Sequence, residues 1–185
     1  VLQNHLHLPV QSGNDSVLNT MRRDHTIAEY LELLTELKSE VPDIALSTDI
    51  IVGFPGETDA AFEDTLTIME KVGYSSSYMF AYSPRPGTPA NDLPDSVPEE
   101  VKKQRLQKTI AMQSQISQQQ GQVYIGEKVA VLIEGRSSKP GYAFKGRNPQ
   151  YWNVNIQGSD LKTGDTVTVE IEQVSGHSLN GKALL

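Results

Sequence analysis

The sequence has no cysteine. That excludes a disulfide framework, a thiolate zinc site and a cysteine-held iron–sulfur cluster within these 185 residues. It has no apolar run of membrane-spanning length and no signal-peptide pattern, which points to a soluble, cytoplasmic protein. Aromatics make up only 6% of the residues, with Trp152 the single tryptophan. Basic residues are outnumbered, 16 against 23 acidic, and the net charge of −7 argues against general affinity for nucleic acid. Histidines are few as well. His5 and His7 alternate along an expected strand and point to one face. No third ligand stands at a readable spacing, so a packed or hydrogen-bonded pair is expected rather than a metal site.

The shortage of positive charge is uneven. Residues 122–185 carry seven basic and six acidic side chains, whereas the remainder carries nine and seventeen. Two modules with different partners have such a distribution. With 37% hydrophobic residues, the chain can bury one medium and one small core.

The first module alternates strand and helix. Leu6 to Val10 reads as a short buried strand, and Asn14 or Asp15 can cap a helix carrying Val17, Leu18 and Met21. Thr26 and Glu29 form a capping box ahead of apolar residues at helical spacing from Ile27 to Val41, and Pro42 stops that helix. Ile44 to Val52 is the next strand and "GFPGET" the turn. Thr58 caps a helix burying Phe62, Leu66, Met69 and Val72, which Gly73 ends. A third strand spans about Ser76 to Tyr82. This order implies parallel strands with crossover helices. Five of the ten prolines then fall between Ser83 and Pro98, which predicts an extended segment. A polar helix from about Glu99 to Gln120 has sparse apolar positions, Val101, Leu106, Ile110 and Ile116. Its glutamine-rich end reads as a solvated helix or as an arm against another domain. From Gln122 onward, short strands separated by Gly, Pro, Asn and Ser predict a small antiparallel barrel of about five strands.

Functional groups of parallel strand–helix folds gather where strands end. Three such ends are visible: Gln11-Ser12-Gly13, Asp49 with the turn Gly53 to Glu57, and Ser83 to Thr88. Gln11 and Ser12 suit a ribose, Arg23 a carboxylate, and Ile51, Val52 and Phe54 a planar base. The plainer alternatives are that Gln11 caps a helix, that Asp49 holds a turn, and that Arg22 and Arg23 offset a helix dipole. No nucleophile–base pair and no paired carboxylates stand out, so no catalytic residue is assigned. The second module offers Phe144, Lys145, Arg147, Tyr151 and Trp152 close together. Aromatics among basic groups suit stacking on unpaired bases, although in period-two strands about half of them must point inward.

Four stretches, "HLHLPVQSGNDSVLNTMRR", "IALSTDIIVGFPGET", "YSPRPGTPA" and "VPEEVKKQRL", in this order and spacing, resemble the methylthiotransferases of the radical S-adenosylmethionine family, the tRNA-modifying branch most. "GR" with the later "VNI" resembles the TRAM domain, a small RNA-binding barrel. The resemblance implies an α/β fold: residues 1–121 as the later part of a partial (βα) barrel with a trailing helix, and 122–185 as an OB-like TRAM barrel. It implies methylthiolation at C2 of an isopentenylated adenosine beside the tRNA anticodon. The alternatives are a threonylcarbamoyladenosine substrate, a ribosomal-protein aspartate, or a non-catalytic RNA-binding protein. The implied cofactors are S-adenosylmethionine and two 4Fe–4S clusters, whose cysteine ligands this chain lacks. The chain alone is therefore expected to be inactive and to need an N-terminal part of the same enzyme. Carried over by position, Gln11, Ser12, Arg23, Asp49, Val52, Gly53, Phe54 and Ser83 would meet S-adenosylmethionine. Arg85, with the second module's Phe144, Lys145, Arg147, Tyr151 and Trp152, would meet the tRNA anticodon stem-loop. No membrane partner is implied.

Overall fold

A computed structural model describes residues 3–94 and 96–184. The chain divides into two compact units. One comprises His7–Pro42 and Leu46–Gln113, the other Val1–Leu6, Asp43–Ala45 and Ser114–Leu185.

Three strands, β1 (His5–His7), β2 (Ala45–Val52) and β3 (Ser76–Ala81), form a sheet in that order. β2 and β3 are parallel, with Ser47 opposite Ser76 and Val52 opposite Ala81. Three helices fall between them: α1 (Asp15–Thr20), α2 (Ile27–Glu40) and α3 (Asp59–Val72). Their starts are fixed by side chains that satisfy the free N–H groups of a first turn. Asn14 accepts from Ser16 and Val17, Thr26 and Glu29 complete a capping box, and Thr58 accepts from Ala61. Gly73 ends α3 at φ 67°, a backbone angle that glycine adopts without penalty. On β2, Leu46, Thr48, Ile50 and Val52 are buried, while the alternate residues Asp49 and Ile51 face the other side and are half-buried. Strand periodicity thus sends Asp49 and Ile51 to one face and Val52 to the opposite one.

The proline-rich segment is not simply extended. It closes a turn at Arg85–Thr88 and a short 3-10 helix at Pro89–Asp92. Next comes α4 (Glu99–Gln122). It is not a fully solvated helix, because one face is buried, and that face is largely polar. Lys102, Arg105, Thr109, Gln113 and Ser117 are buried; of the expected apolar positions Ile116 is buried, Val101 and Leu106 are half-buried and Ile110 is 47% exposed. The three- and four-residue spacing places these polar residues on one stripe.

Five strands then close a barrel: β4 (Lys128–Arg136), β5 (Phe144–Arg147), β6 (Asn153–Gln157), β7 (Thr166–Ser175) and β8 (Ser178–Leu184), in the order β4-β5-β6-β8-β7. The expected barrel is present, but it is mixed rather than antiparallel, because β6 and β8 run parallel. Closure leaves no free sheet edge. The inward alternation of Val131, Ile133, Val154, Ile156, Val169, Ile171 and Leu179 fills the interior.

Candidate functional site

A cavity of about 340 Å³ lies at the carboxyl ends of β2 and β3, within the first unit. Gln11, Asp49, Ile51, Phe54, Phe80, Tyr82, Ser83 and Arg85 contribute to its lining. Each arrives there for a local reason. Gln11 has φ 68°, unusual for a residue with a Cβ and worth about 1–3 kcal/mol of strain. The strained geometry is held from both sides: the Gln11 amide donates to Asp49 O (2.9 Å), and the Gln11 carbonyl accepts from Ile51 N (2.9 Å). Tyr82 continues β3 by donating its amide to Val52 O (2.8 Å), and its hydroxyl donates to Ala90 O (2.8 Å), fastening the proline-rich segment over the strand end. Phe54 meets Tyr82 edge-on at 5.0 Å.

Asp49 has a partner that the sequence reading did not assign. His7 Nε2 lies 3.5 Å from Asp49 Oδ1, and His7 Nδ1 lies 2.9 Å from Ser47 Oγ. The signal was present: His7 and Asp49 occupy outward positions on neighbouring strands. His5 goes elsewhere, stacking on Tyr151 at 4.8 Å. Among the described residues, no cluster of three or more His, Asp or Glu side chains is arranged to hold a metal ion.

Four of the expected cofactor residues do not line this cavity. Ser12 is fully buried, with its hydroxyl 3.4 Å from Thr65 Oγ1 and accepting from Asn14 N, so it braces the turn against α3. Val52 is fully buried on the opposite face of the sheet. Gly53 donates its amide to the buried Glu57 carboxylate (2.6 Å) at φ 72°. Arg23 is exposed beyond α1 and does not reach the lining. Gln11, Asp49, Phe54 and Ser83 do line it, and so does Arg85, which was expected to meet RNA. Gln11 is not a helix cap, since Asn14 fills that role.

In the second unit, Phe144 and Trp152 are 4% and 5% exposed and belong to the barrel core, so neither presents a face to a base. Trp152 is held inward by its amide, which donates to Asn148 Oδ1 (2.8 Å). Tyr151, at φ 68°, turns outward and is 46% exposed. The Arg147 guanidinium lies 3.9 Å from the Tyr151 ring centre and pairs with Glu134 (3.1 Å), and Lys145 is exposed. An outward tyrosine beside a guanidinium and a lysine offers stacking together with phosphate neutralisation. Sequence reading also missed a polar network in which Lys139 and Asn155 both donate to Asn180 Oδ1 and Ser137 donates to Asn155.

The cavity's chemistry fits a nucleoside-containing ligand such as S-adenosylmethionine. Its volume is within the range of small-molecule sites, with aromatic walls and a few converging polar groups. The residues do not fit an iron–sulfur cluster, because the chain has no thiolate to offer.

Comparison with known proteins agrees with this architecture. Residues 2–69 match the Radical SAM superfamily and residues 122–184 match the TRAM domain. The chain is similar in fold to coproporphyrinogen III oxidase from Escherichia coli, a radical SAM enzyme, with a TM-score of 0.50 and 17% identity over 91% of this chain and 41% of that one. Residues 2–69 are thus of the Radical SAM type and residues 122–184 form a TRAM domain. Its relatives include proteins named tRNA-2-methylthio-N(6)-dimethylallyladenosine synthase. The one from Oceanobacillus iheyensis is 46% identical over 97% of this chain and 35% of its own length. Those from Acetivibrio thermocellus and Legionella pneumophila (strain Corby) are 45% and 44% identical, over 96% and 99% of this chain and 37% and 41% of theirs. The chain therefore spans 35–41% of the length of these relatives. No helix among the described residues is long and apolar enough to cross a membrane.

Proposed function

We propose that this chain is the C-terminal portion of a tRNA methylthiotransferase, acting in the complete protein on C2 of an isopentenylated adenosine beside the anticodon. Residues 1–121 would supply part of the radical domain with its trailing helix, and 122–185 the TRAM contact to the anticodon stem-loop. The observation that carries the reading is the cavity at the ends of β2 and β3, lined by Gln11, Asp49, Phe54 and Tyr82, in a chain whose relatives bear that name.

In this reading Gln11, Asp49 and Ser83 hydrogen-bond the ribose or the base edge of S-adenosylmethionine. Ile51, Phe54, Phe80 and Tyr82 exclude water from the purine. Arg85, at the cavity rim, neutralises an anionic group of either ligand. His7, braced by Ser47, orients the Asp49 carboxylate. Bound here, S-adenosylmethionine would supply the methyl group and the adenosyl radical, the latter with an iron–sulfur cluster held by another part of the enzyme. On the barrel, Tyr151 stacks on an unpaired base while Lys145 and Arg147 meet phosphates.

Two measurements test the reading. Titration calorimetry with S-adenosylmethionine should show binding to this chain, weakened about tenfold or more in Asp49→Ala, the loss expected for one hydrogen bond to a charged group. No binding by the wild-type chain would refute the nucleoside assignment. Second, tRNA binding should fall steeply with salt. Lys145→Ala and Arg147→Ala should each lower the slope of log K against log salt by about one. An unchanged slope in both would move the phosphate contact elsewhere on the barrel.

A further inference from the structure

We infer that α4 is the positioning element of the cavity, with Lys102 and Arg105 fixing the Gly53–Glu57 turn as its wall. This deepens the nucleoside reading and rests on it for the identity of the ligand, though not for the clamp itself.

A fully buried lysine is rare and needs a reason. The aliphatic stem of Lys102 lies against Gly53, where an added Cβ would overlap the Lys102 Cγ atom. Its ammonium pairs with Glu99 (2.8 Å) and sits 5.4 Å from the centre of the Tyr82 ring, which walls the cavity. One turn along, Arg105 grips the far end of the same loop. Its Nη1 donates to both the carboxylate (2.7 Å) and the main-chain oxygen (3.1 Å) of Glu57, and Nη2 reaches Asp59 (2.7 Å). Glu57 in turn accepts from Gly53 N. The loop is thus held at both ends by one helix, and Phe54 between those ends faces the cavity. Burial pushes the Glu57 carboxyl up, so the pair is not the cheapest filling for this space. Well-packed apolar side chains commonly stabilise such a site as much as a buried ion pair does or more, so the polar stripe is better explained by the geometry it imposes. In "GFPGE" and "VKKQR" the sequence spells the two halves of one clamp.

The test uses hydrogen exchange of the Gly53, Phe54, Gly56 and Glu57 amides in the whole 185-residue chain, alongside S-adenosylmethionine affinity. Lys102→Met keeps the stem and removes the charge. Its loop amides should exchange about tenfold faster while those of α2 keep their rates, and affinity should fall about tenfold as the competent loop population falls. A merely structural role would accelerate exchange throughout the unit instead. If Lys102→Met does not fold, Asp59→Ala carries the test, since its side chain is 95% exposed and its loss frees one arm of Arg105. About two- to threefold faster exchange confined to the loop is then expected. Folded variants with wild-type exchange at 53–57 would overturn the clamp. A wild-type chain without affinity for S-adenosylmethionine would overturn the nucleoside reading, and the exchange result would still decide the clamp.

Discussion

Arg105→Ala is expected to destabilise the α/β unit by about 3–5 kcal/mol, because it leaves the Glu57 carboxylate buried without its cation. The Glu57 side chain is fully buried and Arg105 nearly so, and their contact is 2.7 Å. Urea denaturation followed by helical circular dichroism would measure the loss. The deficit should also depend on pH. Burial raises the Glu57 pKa above its ordinary value, while the Gly53 amide and Arg105 work against that rise. A carboxyl whose folded-state pKa is raised favours the folded state below the ordinary carboxylate range. That contribution is lost as pH rises through the folded pKa. Removing Arg105 raises the folded pKa further, so the variant's deficit should shrink in acid, where Glu57 is neutral, and widen toward neutral pH. A deficit under about 1 kcal/mol, flat across pH, would show that solvent or another group compensates Glu57.

The second large effect separates two neighbouring aromatics. Trp152→Ala should cost the barrel about 3–5 kcal/mol, since Trp152 is 5% exposed and packs with Val154, Ile156 and Phe144. Tyr151→Ala should cost less, about 1–2 kcal/mol, because the ring is half in solvent but stacks on His5 and carries the Arg147 guanidinium. If the barrel binds tRNA as proposed, the order should reverse there. Tyr151→Ala should lose about 1–3 kcal/mol of affinity, the range for one stacked base. Thermal unfolding by circular dichroism and a fluorescent anticodon stem-loop titration read the two quantities. A Tyr151→Ala variant with wild-type affinity would remove stacking from this face of the barrel.

This pair also shows where sequence reading runs out. Consecutive residues near a strand end point to opposite faces, so only one of Tyr151 and Trp152 can stack on a base, and composition does not say which. The choice is made by Asn148, whose side-chain oxygen holds the Trp152 amide while the backbone at Tyr151 adopts a positive φ. Helix α4 fails differently. Its sparse apolar positions, of which Ile116 is buried and Ile110 exposed, do not reveal the polar stripe buried where Tyr74, Gly53 and Glu57 supply partners from other elements. Hydrophobic periodicity cannot detect burial sustained by distant hydrogen bonds. By contrast, α2 and α3 were legible nearly to the residue, since caps and apolar spacing are local signals.

The sequence by itself determined the strand–helix alternation, the helix ends, the presence of a small barrel, the absence of any thiolate ligand and the three polar strand ends. These follow from nearest-neighbour chemistry: capping geometry, side-chain period and residue type. Only the tertiary structure decided which polar residues converge. It drew Gln11, Asp49, Phe54, Ser83 and Arg85 around one cavity, while leaving Arg23 in solvent and turning Ser12 and Val52 away. It also paired His7 with Asp49, set β6 parallel to β8 and buried a lysine behind the cavity wall. These outcomes depend on strand register and on contacts between residues 25 or more apart, where a shift of one position sends every side chain to the opposite face.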